Sequence, residues 1–196
     1  HIKCTATPIP FTDPNLFYPK EKKNLIVFLG RMIPIKHPME AVMAVFQVKE
    51  FLRKNKYKVI IGGSGILLDK VRDYVNENNI SDIVDIPGYV DSSKLLTNAK
   101  IFLSLQDFNN YPSQALIEAI SCGCWCIATD VGETSLLIKE EFGDLIDLNV
   151  NSIAQALVKA VHKCEKMDFI ESEIQFAKEN FNIQNSIKYY SYIINE

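Results

Sequence analysis

Residues 25–36 read Leu25-Ile26-Val27-Phe28-Leu29-Gly30-Arg31-Met32-Ile33-Pro34-Ile35-Lys36. Five apolar residues in a row, without alternation, suit a strand buried on both faces, the habit of parallel sheets. Gly30 closes the strand, and Arg31 and Lys36 follow on the same loop. Pro38 then stands where a helix can begin, and 39–53 carries Met39, Val42, Met43 and Phe46 on one helical side.

The same unit recurs along the chain. Lys58-Val59-Ile60-Ile61 form a second strand, closed by Gly62-Gly63-Ser64-Gly65, and 66–78 follows as a helix with Leu67, Val71, Tyr74 and Val75 on one face. A short strand over 83–86 runs into Pro87-Gly88-Tyr89-Val90, after which Asp91 or Ser92 can cap a short helix reaching about Asn98. Residues 100–104 make a fourth strand. A polar loop from Gln106 to Pro112 leads into a helix near 113–121, with Pro112 and Ser113 suited to its first positions. A fifth strand covers 125–128, a weaker sixth covers 143–148, and three helices follow over about 151–165, 169–179 and 183–194. Strands alternating with helices specify βαβ units. The expected fold class is therefore α/β, a Rossmann-like parallel sheet of about six strands flanked by helices. Residues 1–24, spaced by Pro8, Pro10, Pro14 and Pro19, read as a lead-in from a preceding domain; 25–180 is the domain itself and 181–196 a terminal helix.

Composition narrows the classes. Hydrophobic residues make up 47% of the 196, enough for a full core and against disorder. A net charge of −3 argues against a broad nucleic-acid-binding face. No apolar run reaches the roughly 18–20 residues that cross a bilayer. The five cysteines, an odd number without a secretory leader, point to reduced thiols and a cytoplasmic setting. Cys122, Cys124 and Cys126 read as small buried apolar residues, with Cys124 and Cys126 on one strand face, and no metal site is expected.

Ligands on such sheets bind beyond the carboxyl ends of the strands. Three loops there carry phosphate chemistry. In the first, Arg31 offers a planar fork of donors and Lys36 a point charge, both suited to a diphosphate; two solvated surface cations would read the same way. In the second, Gly62-Gly63-Ser64-Gly65 lets backbone approach a ligand, though Leu67 breaks the G-x-G-x-x-G dinucleotide pattern and a plain turn is the alternative. In the third, Asn110-Tyr111-Pro112-Ser113-Gln114-Ala115-Leu116-Ile117-Glu118 presents the free N–H groups of a helix start to phosphate or sugar oxygens. Glu118, one turn in, is an acceptor suited to ribose hydroxyls. The apolar residues around it mean its carboxylate needs a partner.

In order and spacing these segments resemble the C-terminal, donor-binding domain of the family 4 retaining glycosyltransferases (glycosyl transferases group 1). The likeness extends over nearly the whole chain. It implies one half of a GT-B fold and a nucleotide-diphosphate sugar, of UDP or GDP type, as donor. Arg31 and Lys36 match the basic pair that neutralises the diphosphate, the catalytic contribution of this half. Glu118 matches the ribose-binding Glu of the E-x7-E motif. Tyr89 and Val90 match the stretch near the nucleobase, and Ser113, Gln114 and Ala115 the helix start at phosphate and sugar. Gly30, Gly63 and Asn110 complete the expected donor contacts. No cofactor or metal is implied, and the relevant loop has no paired carboxylates for one.

Three departures accompany the resemblance. Asn110 (or Asn109, on a one-residue shift) stands where the family has the sugar-contacting Glu. Leu136 stands where a second Glu is usual in Gly132-Glu133-Thr134-Ser135-Leu136. The domain that binds the saccharide or lipid-linked acceptor precedes this region in the family and is not in this sequence. The expected partners are thus the donor here and the acceptor through that other domain, with surface polysaccharide assembly in the cytoplasm or at the inner membrane face. The isolated domain is expected to be inactive, and the terminal helix to expose Tyr189, Tyr190 or Ile193. A degenerate module that binds a nucleotide or a partner without catalysis is the alternative, favoured by the lost acids and disfavoured by Arg31, Lys36 and Glu118. A GT-B nucleotide-sugar epimerase fits the order around Glu118 less well.

Overall fold

The computed structural model describes residues 11–165 and 171–194. The opening residues that include Cys4, Pro8 and Pro10 lie outside the described residues. Six strands form one parallel sheet: β1 (Lys23–Leu29), β2 (Lys58–Gly62), β3 (Val84–Gly88), β4 (Ala99–Ser104), β5 (Trp125–Thr129) and β6 (Gly143–Ile146). Their order is β3-β2-β1-β4-β5-β6. β2 and β3 add outward on one side of β1, and β4, β5 and β6 on the other. That reversal creates a crevice beyond the ends of β1 and β4.

The uninterrupted apolar runs follow from burial on both faces. In β1, Ile26 and Phe28 enter one core while Val27 enters the other. Likewise Ile101 and Leu103 oppose Phe102, and Trp125 and Ile127 oppose Cys126 and Ala128. The first core is roofed by α1 (Pro38–Gln47), α2 (Lys49–Lys54), α3 (Leu68–Glu77) and α6 (Val150–Cys164). The second lies under α4 (Ser92–Leu96), α5 (Gln114–Ser121) and α7 (Glu171–Phe181), with α8 (Ile183–Ile194) at the end of the chain.

Differences from the sequence reading are local. The helix expected over 39–53 breaks at Val48 into α1 and α2. Met43 faces solvent, because Ala41, Ala44 and Val45 complete the buried stripe with Val42. Pro112 is outside α5, which begins at Gln114 with Ser113 as its N-cap residue. Asp91 caps α4 by accepting from the Ser93 N–H. Strand β1 starts two residues inside the expected lead-in, and residues before it are bonded to the domain. Thr12 donates its N–H to the Phe181 carbonyl at 2.8 Å, and Lys20 to Thr97 at 2.8 Å. The Lys22 ammonium donates to the Ala99 and Cys122 carbonyls at 2.7 and 2.6 Å. On α8, Tyr190 is exposed as expected; the side chains of Tyr189 and Ile193 lie outside the described residues.

Cys122, Cys124, Cys126 and Cys164 are buried free thiols, and no metal-holding group occurs among the described residues. One charged type is buried with them. Glu173 of α7 is fully buried, and the Cys126 thiol donates to its Oε1 at 3.5 Å, while Oε2 has no hydrogen-bond partner among the described residues. Burial drives its pKa well above the usual carboxylate value, against smaller opposing effects of Cys126 and Lys22. The folded state therefore favours neutral Glu173. The stability this confers is complete at pH below the unfolded carboxylate value and is lost as pH rises toward the folded one. Glu173→Gln, a neutral near-isostere, is expected to unfold at a higher temperature than the parent at neutral pH. The gap should widen by up to about 1.4 kcal/mol per pH unit above about pH 5. Parallel melting curves from pH 4 to 8 check this.

Candidate functional site

The loops after β1 and β2 are stitched together through backbone. The Gly30 N–H donates to the Gly62 carbonyl at 3.1 Å, Met32 to Ser64 at 2.8 Å, and Leu67 back to Met32 at 2.9 Å. This approach is possible only without side chains on two residues of the glycine loop. A Cβ on Gly63 would lie 1.8 Å from the Gly30 oxygen, and one on Gly65 would lie 2.5 Å from the Met32 oxygen. Both also have positive φ, +146° and +148°. The Gly63 N–H is itself engaged by the Gly88 carbonyl at 2.7 Å. The glycine loop thus fixes where the Arg31 loop sits.

Arg31 is exposed at the start of that loop, and Lys36 is half-buried at its end in a short 3-10 turn, Pro34–Lys36. The Lys36 ammonium donates to Gln106 Oε1 at 2.9 Å, across the crevice from β1 to β4. It also lies 5.0 Å from the centre of the Phe108 ring. Burial lowers its pKa, the Arg31 charge adds to this, and Asp107 opposes it. His37, in left-handed backbone at φ 51°, sits between Glu40 and Asp107 at 3.2 and 3.3 Å, ion-pair range without hydrogen-bonding geometry.

The third loop ends at the N-terminus of α5. Ser113 is buried and makes no side-chain cap bond, so the N–H groups of the first turn have no side-chain cap; Ile117 already donates to the Ser113 carbonyl at 3.0 Å. Gln114 and Ala115 begin the helix. Glu118, one turn in, accepts from Gln114 Nε2 at 3.1 Å, the partner its apolar surroundings demanded. Burial raises its pKa, and hydrogen bonds from Gln114 and Ser92 oppose this. Ser92 also lines a cleft of about 600 Å³ with Gly30, Arg31, Gly63, Tyr89 and Val90. Tyr89 is 87% exposed on its rim, an apolar ring with nothing over it from the described residues. A second cavity of about 580 Å³ lies between the lead-in and α7, at Phe17, Tyr18, Ile174 and Ala177. Volume does not choose between them, but none of the expected site residues lines the second.

Asn109 and Asn110 behave differently. The Asn109 side-chain oxygen accepts from the Tyr111 N–H at 3.0 Å and from the Glu133 N–H at 3.4 Å. Asn109 is therefore spent holding the loop after β5. The Asn110 side chain makes no hydrogen bond to a described residue. Leu136, in a 3-10 turn (Thr134–Leu136), is half-exposed. The residues missed by sequence reading are Gln106 and Thr129. Gln106 is 2% exposed despite opening a polar loop. Its N–H donates to Thr129 Oγ1 at 3.1 Å, and that hydroxyl donates back to its carbonyl at 2.8 Å. Nothing in the sequence marks Gln106 as buried or pairs it with Thr129.

Fold and crevice together define a doubly wound, Rossmann-like domain with its cations at the topological switch point. The chain belongs to the family described as glycosyl transferases group 1, which it matches over residues 15–181. Among curated relatives, it is 30% identical over 144 residues to an Escherichia coli UDP-Gal:alpha-D-GlcNAc-diphosphoundecaprenol alpha-1,3-galactosyltransferase, covering 70% of this chain and 37% of that protein. It is 26% identical over 182 residues to a Campylobacter jejuni GalNAc-alpha-(1->4)-GalNAc-alpha-(1->3)-diNAcBac-PP-undecaprenol alpha-1,4-N-acetyl-D-galactosaminyltransferase, covering 92% of this chain and 48% of that protein. The chain thus spans less than half the length of these relatives. In fold it resembles Anabaena HepE, solved with UDP and glucose, at a TM-score of 0.78 and 13% identity, over 95% of this chain and 55% of that one. The expected α/β architecture, a Rossmann-like parallel sheet of six strands flanked by helices, is what this domain has.

The glycine contacts make a paired prediction. Gly63→Ala should destabilise the domain by at least about 1–3 kcal/mol, since strained backbone and a backbone clash combine. Gly30→Ala, whose Cβ would meet only the Phe28 ring at 3.6 Å, should cost less than about 1 kcal/mol. Urea unfolding of both variants compares them; equal losses would contradict the assignment of the stitch to Gly63.

Proposed function

We propose that this chain is the donor-binding half of a retaining hexosyltransferase whose donor is a UDP or GDP sugar. The observation that carries this is a cleft lined by Arg31, Tyr89, Val90 and Ser92, with Lys36 on the Arg31 loop held to Gln106 and Glu118 of α5 hydrogen-bonded to Ser92. In this reading the nucleobase lies against Tyr89 and Val90, and the ribose hydroxyls meet Glu118. The diphosphate lies between the cations and the N–H groups of Gln114 and Ala115, with Gly30, Gly63 and Ser113 shaping its bed. As the bond from the sugar to the diphosphate breaks, negative charge grows on the departing oxygen. Lys36 and Arg31 stabilise it more in the transition state than in the ground state, which lowers the barrier. They supply the positive charge that a metal ion supplies elsewhere, so no metal or cofactor is required.

Asn110, free of internal hydrogen bonds, reaches the donor sugar as a neutral donor and acceptor where the family resemblance has an acid. The acceptor, a saccharide or lipid-linked glycan, comes from a preceding domain. The diphosphoundecaprenol substrates in the names of two relatives support a lipid-linked acceptor, and in this reading transfer takes place at the cytoplasmic membrane face. No described helix is long and apolar enough to cross a membrane. The 196-residue piece alone binds donor and transfers little.

Two experiments test this. With UDP or GDP, amide exchange should slow at 30–36 and 113–118; no slowing with any nucleoside diphosphate contradicts the reading. In an enzyme that includes the preceding domain, Lys36→Ala should lower turnover by on the order of a hundredfold, about 3 kcal/mol for one charge-stabilising donor. Turnover should also fall on the alkaline side at a pH below that of an ordinary lysine, because the cation is the active form and its pKa is depressed.

A further inference from the structure

We infer that Gln106 is the positioning residue for Lys36, anchored by Thr129, and that it sets the ammonium in place before any donor arrives. This rests on the proposed role of Lys36 at the diphosphate. A lysine ammonium on a four-carbon stem has many rotamers, and an exposed one points nowhere in particular. Lys36 is constrained from two sides. Gln106 Oε1 accepts one of its three protons at 2.9 Å, and the Phe108 ring faces the charge from 5.0 Å. Two protons remain for an anion in the crevice.

The acceptor itself is held. Gln106 is buried, and its main-chain N–H and carbonyl both bond the Thr129 hydroxyl, at 3.1 and 2.8 Å. Thr129 is the last residue of β5 and fully buried. The side chain at the end of β5 thereby fixes the backbone of the residue whose amide holds the lysine of the β1 loop. The neighbouring pair repeats the link. Asp107 lies 3.3 Å from His37, so consecutive residues of the β4 loop meet consecutive residues of the β1 loop. The amide is neutral, which matters here. A carboxylate at position 106 would also orient the ammonium, but it would cancel the charge the diphosphate needs.

The test uses Gln106→Met, which keeps length and apolar volume and removes the acceptor. In this chain, Gln106→Met should weaken UDP or GDP binding about tenfold by calorimetry, while in a Lys36→Ala background the same change should have no further effect. A second readout is independent of nucleotide. NMR titration of the Lys36 ammonium should find its pKa lower in Gln106→Met and higher in Gln106→Glu than in the parent. Gln106→Glu should nevertheless bind nucleotide more weakly than the parent. An unchanged Lys36 pKa in Gln106→Met, or an equal loss of binding with and without Lys36, overturns the assignment. If neither nucleotide binds the parent while the Lys36 pKa responds as described, the donor reading fails and the positioning role stands.

Discussion

The site depends on a backbone contact that only glycine permits. The loops after β1 and β2 touch through the Gly30 oxygen in the space a Gly63 side chain would fill. Three hydrogen bonds between residues 30–32 and 62–67 hold that approach. Arg31 lies inside the stitched segment and Lys36 four residues beyond it, so the direction of the cationic loop follows from it. The same glycine loop borders the cleft at Tyr89 and Val90. One local constraint therefore shapes both the Arg31–Lys36 loop and the cleft beside it.

Across the crevice the β4 loop answers with different chemistry. Gln106, Asp107 and Phe108 meet Lys36 and His37 through a neutral acceptor, a carboxylate and a ring. The helix start at Ser113 adds backbone donors with no side-chain cap. Here Lys36 is half-buried, hydrogen-bonded among the described residues only to a neutral amide, and Arg31 is exposed beside it, with Asp107 as the nearby carboxylate. A binding site for an anion has that character, whereas a structural ion pair is matched from within.

The sheet was legible because both of its faces are buried, which writes continuous apolar runs into strands such as 25–29 and 100–104. Arg31, Lys36 and Glu118 were legible because charge at strand ends and on an apolar helix is conspicuous. Gln106 was not, since a polar residue opening a loop gives no sign that it is buried or that Thr129, twenty-three residues on, grips its backbone. The break at Val48 was hidden because nothing in its side chain forbids helix. The part played by Gly63 was half legible: the glycine run announced close approach, but whether ligand or backbone approaches is decided by the neighbouring loop. Asn109 and Asn110 could be told apart only by their partners, because the former is bound to Glu133 and Tyr111.

A crystal structure of the chain with a bound nucleoside diphosphate tests the central claim most directly. The account predicts the diphosphate between Arg31, Lys36 and the first turn of α5, with the base beside Tyr89 and Val90 and the ribose at Glu118. A nucleotide seated elsewhere, such as the cavity between Phe17 and Ile174, or with its phosphates away from Lys36, would contradict it.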